Sequence, residues 1–166
     1  MPSTAVDHLE TYLQDHRAGA EAGSKLARRM HEENEGTQYE EFLDHVADEI
    51  AEDVVVLEQL MERLGVDRST FKEVGVRLGE LVGRLKPNNE LLGYSPLSRV
   101  LEFEMLRSGV QGKLGLWDSL MEIAPVDDRL DPEEIGQLIT RAEGQLKGLR
   151  IHHRLAVREA FGPSPD

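Results

Sequence analysis

Apolar residues recur at three- and four-residue steps along most of this chain, and short polar punctuation divides the steps into segments. The first segment, from about Thr4 to Asn34, sets Leu9, Leu13, His16, Ala20, Gly23, Ala27 and Met30 along one side, and Gly36 closes it. Thr37-Gln38-Tyr39-Glu40 has the form of a capping box, in which each end satisfies an orphan amide of a new helix. That helix is expected to run to Leu64 and end at Gly65. It turns inward a band from Phe42 and Leu43 through Val46, Ile50, Val54 and Leu57 to Met61, the width expected of a core-facing helix. Val54-Val55-Val56-Leu57 alone resembles a strand, but it lies inside this helical period. The short gap at Gly36 predicts an antiparallel hairpin.

A second box, Thr70-Phe71-Lys72-Glu73, predicts a shorter helix ending before Pro87, with Gly75, Gly79 and Gly83 on one side for close approach to a neighbour. Ser95-Pro96 is an N-cap followed by proline, and it opens a long helix to about Ala124. This helix is apolar on two sides, one with Leu97, Leu101, Met105, Ser108 and Gly112, the other with Val100, Phe103, Leu106, Val110 and Trp117. Such a helix should be sandwiched, by the crossover helix or by a second subunit, so a homodimer is expected. Asp131-Pro132-Glu133-Glu134 starts the last helix, to Phe161, with Ile135, Leu138, Ala142, Leu149, His153 and Ala156 in its core arc. The pattern predicts one helical domain over 1–161 and a disordered tail over 162–166.

Composition narrows the function classes. With no cysteine, disulfides and thiolate chemistry are excluded. No apolar run suggests a membrane span, and the N-terminal residues do not read as a leader, so a cytoplasmic protein of bacterial type is expected. The net charge is −13; residues 1–65 hold 16 acids and 5 bases, about −11, and residues 66–166 hold 16 acids and 14 bases, about −2. Such a field repels phosphate backbones, and nucleic-acid binding is not expected.

Hairpin, long crossover with its own helix, then hairpin is an order that resembles the ferritin-like superfamily. A ~16-residue helix spans ~24 Å, enough to carry the chain back along a bundle. Glu49-Ile50-Ala51-Glu52-Asp53, running on to Leu64-Gly65, is similar to the second helix of that superfamily. The resemblance implies an all-α, up-down bundle of four long helices. It also implies, for metal-binding members, a Glu on each of two helices and Glu-x-x-His on each of the other two. Here Glu49 stands at the second-helix Glu, but the position three later is Glu52, not His. In Ala142-Glu143-Gly144-Gln145, Ala142 and Gln145 replace both ligands.

Polar residues still interrupt the inward stripes of all four long helices: His16, Glu49, Asp53, Glu104, Gln145, His152 and His153. Counted from the helix ends, Glu49 and Glu104 are expected nearly level, with His153 facing Glu104 and His16 nearer Leu57. Glu49, Asp53, Glu104, His153 and His16 form the candidate ligand set for iron, manganese or zinc. The preferred alternative is a metal-free buried network, with Asp53 or Glu104 paired to His153 or His16. Ser108 and Ser119 have no base beside them, and adjacent His152 and His153 diverge by ~100° on a helix. The expected function is non-catalytic, as an oligomer or partner-binding module. A carboxylate-histidine metal protein and an apolar-ligand carrier using small residues such as Gly112 and Gly115 are the alternatives.

Overall fold

The structure, a computed structural model, describes residues 5–66 and 94–163. They form four long helices, α1 (Ala5–Glu33), α2 (Glu40–Arg63), α3 (Pro96–Ile123) and α4 (Pro132–Phe161), with a 3-10 turn, Ala124–Val126, after α3. Among the described residues there is no strand, and the valine run of α2 is helical. The expected crossover helix from Thr70 to Leu85, with its three glycines, lies outside the described residues.

The helix ends follow local chemistry. Ser95 Oγ accepts from Ser98 N at 3.1 Å ahead of Pro96, and Asp131 Oδ1 accepts from Glu133 N at 2.9 Å ahead of Pro132. α2 closes on Gly65 at φ +75°, where Gly65 N donates to Glu62 O and Val66 N to Met61 O, the paired bonds of a glycine-closed helix. The box at Thr37 differs from expectation by one residue. Thr37 Oγ1 accepts from Tyr39 N, and Glu40 Oε2 accepts from Gly36 N at 2.8 Å. The reason is Asn34, whose carbonyl accepts both the amide and the hydroxyl of Thr37 and holds that residue in the turn. Glu134, expected to complete the last box, reaches across to Arg63 of α2 instead.

Cross-helix pairs fix the directions. Tyr12 beside Ser119 and Arg29 beside Glu102 set α1 antiparallel to α3; Arg63 beside Glu134 and Tyr39 beside Glu159 set α2 antiparallel to α4. α2 and α3 therefore run the same way, with Asp53 abreast of Lys113. The core they enclose includes Leu13, Met30, Leu43, Leu57, Phe103, Leu106, Trp117 and Leu149. α2 buries its predicted arc with one rotation: Asp53 is buried and Val54 only half so. Of the two apolar sides of α3, that of Phe103 and Trp117 enters the core. The other leaves Leu97 and Leu101 at 51% and 45% exposure. Gly148 of α4 lies against the Phe42 side chain of α2, where a Cβ would overlap the ring; the missing side chain lets the Phe42 ring stack on His152 at 3.9 Å.

Candidate functional site

Three helices converge on a charged cluster midway along the bundle. Asp53 comes from α2, Lys113 from α3, and Arg141 and Gln145 from α4, each on the inward side of its helix. Lys113 Nζ donates to Asp53 Oδ2 and, at 2.6 Å, to Gln145 Oε1. Gln145 Nε2 donates to Asp53 Oδ2 and to Glu49 Oε2, both at 3.2 Å, and Arg141 Nη1 meets Asp53 Oδ1 at 3.1 Å. Both oxygens of the buried Asp53 thus face a cation. Burial lowers the Lys113 pKa, and the Asp53 charge opposes that shift. Two of the three ammonium hydrogens are committed to these partners.

The structure distributes the five sequence-derived ligand candidates over three places. Asp53 and Glu49 belong to this cluster. Glu104 and His153 form a separate pair at 3.1 Å. That pair stands at the level of Phe42, because the neighbouring His152 stacks on Phe42. Glu104 is therefore about two helical turns, ~10 Å, from Glu49 rather than level with it. His16 stands on α1, its ring 4.4 Å from that of Tyr12, and burial lowers its pKa against the pull of Asp15. Among the described residues no three carboxylate or imidazole groups are arranged to hold a metal ion. An ammonium and a guanidinium occupy the two oxygens of the most buried carboxylate, so the donor set does not fit iron, manganese or zinc. Of the pairings expected in a metal-free buried network, Glu104 with His153 is present, but it lies outside the core, with the Glu104 side chain 51% exposed. Asp53 pairs with Lys113 and Arg141 instead of a histidine.

A second buried polar cluster lies at the end of the bundle where α1 finishes and α3 begins. Asn34, fully buried, donates to Met30 O at 2.7 Å and to Tyr94 Oη at 3.1 Å, and its Oδ1 accepts from Arg99 Nε at 2.6 Å. The Arg99 guanidinium lies 4.7 Å from the centre of the Tyr39 ring and 5.4 Å from that of Tyr94, and it pairs with Glu159 at 3.0 Å. Burial, with the Glu159 carboxylate accepting its hydrogen bond, pushes the Tyr39 hydroxyl up to about 12.

Between α1 and α3 runs a cleft of about 350 Å³, lined by Gly19, Ala20, Gly23 and Leu26 of α1 and by Met105, Gly109, Gly112, Leu116 and Trp117 of α3. Ile50, Asp53 and Leu57 of α2 form its floor with Lys113, and His16 and Asp15 stand at its edge. The antiparallel register puts Gly19 and Gly23 at the levels of Gly112 and Gly109. Facing glycines ordinarily let two helices close on each other. Here a Cβ added at any of the four meets nothing within 4 Å. The space is left open.

No family model, no curated protein and no solved structure matches this chain.

Sequence reasoning missed Lys113, Arg141, Arg99 and Asn34. The signal was present for two of them: Leu106, Val110, Lys113 and Trp117 share one stripe of α3, and Arg99, Phe103 and Leu106 continue it toward the N-terminus.

Proposed function

We propose that the chain is a ferritin-like bundle in non-catalytic use, holding a small, largely apolar molecule with one hydrogen-bonding end in the cleft between α1 and α3. The facing glycines carry this reading. Each costs about 1 kcal/mol against alanine in a helix interior, and none gains close packing in return. What four of them achieve together is an apolar space within the size range of small-molecule sites. The Lys113–Asp53 pair on the floor supplies the polar contact, with one ammonium hydrogen uncommitted to Asp53 or Gln145. In this reading the ammonium of Lys113, rather than a metal, is the cation beside Asp53.

Dodecanol and dodecanoate serve as probes. Titration calorimetry on the wild type should give a saturable heat with one of them. In Gly23→Leu, whose side chain enters open space, affinity falls at least ~10-fold while the thermal midpoint rises, following the better helix propensity. Absence of binding to the wild type, or unchanged binding in Gly23→Leu, would sink the reading.

A second reading, self-association through α3, is favoured by the exposed Leu97 and Leu101, one turn apart on the uncovered apolar side. Sedimentation equilibrium should then show a dimer that Leu101→Glu converts to monomer. A wild-type monomer at tens of micromolar removes it.

A further inference from the structure

On the other side of α3, away from the cleft, four arginines line a groove of about 520 Å³ against α4: Arg107, Arg150, Arg154 and Arg158, with Val157 and His153 between them. All four are exposed. Among the described residues none of them has a side-chain hydrogen bond or ion-pair partner, although the chain carries 32 acids. The acid beside them, Glu104, is taken up by His153.

This arrangement opposes the fold's own interest. Arg150, Arg154 and Arg158 follow at four-residue steps, where like charges repel. The helix dipole compensates cations only in the last turn, so it accounts for Arg158. Arg150 stands three turns from the end of α4, and Arg107 lies in the interior of α3. Among the described residues their side chains have no ion-pair partner.

We propose that this groove binds a compact oligophosphate, a molecule carrying two or more phosphate groups about one helical turn apart. Guanidinium forks match phosphate oxygens in bidentate fashion, and the α4 row extends over ~12 Å with Arg107 facing it. A single phosphate engages only part of that row. A long nucleic-acid strand extends beyond the groove and brings its charge against residues 1–65, which sum to about −11 (5 bases less 16 acids). The groove selects a polyanion short enough to stay within it.

The test is titration calorimetry at low and physiological salt with sodium tripolyphosphate, orthophosphate and a single-stranded oligonucleotide as probes. Tripolyphosphate should bind with a submillimolar Kd that weakens with salt, and orthophosphate at least ~10-fold more weakly. Arg154→Ala should lose ~10-fold in affinity and Arg107→Ala/Arg154→Ala more. Arg28→Ala, at a surface cation on α1 paired with Asp48, should change nothing. Circular dichroism checks that each variant keeps its helices. No binding to the wild type at low salt overturns the proposal, as does equal loss in Arg28→Ala or binding of the oligonucleotide without tripolyphosphate. None of these outcomes depends on the cleft.

Discussion

Asp53→Ala should destabilise the protein by ~3–5 kcal/mol at pH 7, the range found when one member of a buried charge pair is removed. The substitution strands Lys113, whose ammonium would then rest on Gln145 Oε1 alone among its present partners. Arg141 suffers less, because it is partly exposed and keeps Glu52 at 3.1 Å. The loss depends on pH with a definite sign. Burial already holds the Lys113 pKa below its ordinary 10.5, and Asp53 is the largest force opposing that shift. Without Asp53 the folded-state pKa falls further, while the unfolded chain still titrates near 10.5. Between those two values the unfolded state binds more protons, so stability rises with pH. The deficit of Asp53→Ala should therefore be largest near neutrality and shrink as the pH approaches 10.5. Adding Lys113→Met should recover most of it at pH 7. Urea denaturation of the single and double variants across this range measures both effects. A deficit independent of pH, or one that Lys113→Met deepens, would show that the pair is not the source.

Arg99→Ala should cost ~3 kcal/mol, lowering the thermal midpoint by on the order of 10 °C for a chain of this length. The buried Oδ1 of Asn34 loses its donor, worth ~1–3 kcal/mol, and the contacts over Tyr39 and Tyr94 add ~0.5–1 kcal/mol each. The Glu159 pair contributes little, because that carboxylate is 40% exposed and screened. Arg99→Lys should recover less than half. An ammonium cannot supply the Nε hydrogen bond to Asn34 and lie flat against two rings together. Full rescue by lysine, read by differential scanning calorimetry, would mean that charge alone matters there.

These two clusters mark where sequence stops being legible. The caps were readable because each is decided within four residues: Ser95 before Pro96, Asp131 before Pro132, Gly65 with its positive φ. The inward stripe of α2 was readable for a similar reason, since a 3.6-residue period says which side of a helix faces in. It does not say which residue of a neighbouring helix is level. Asp53 was identified as inward, but its partner Lys113 lies 60 residues on, and the register comes from packing along the whole of α2 and α3. An error of two turns in that register was enough to place Glu104 beside Glu49. Net charge misled in another way. Summed over the chain it is −13. The sum conceals the arginine row of α4, which emerges only when four-residue steps are followed on one face.

The chain has a single tryptophan, and that residue, Trp117, forms part of the cleft wall, with its indole N–H buried and without an acceptor among the described residues. The indole emission therefore originates beside the space where a guest would sit, with no second tryptophan to dilute it. The protein carries an intrinsic optical gauge of its own interior, readable without a label.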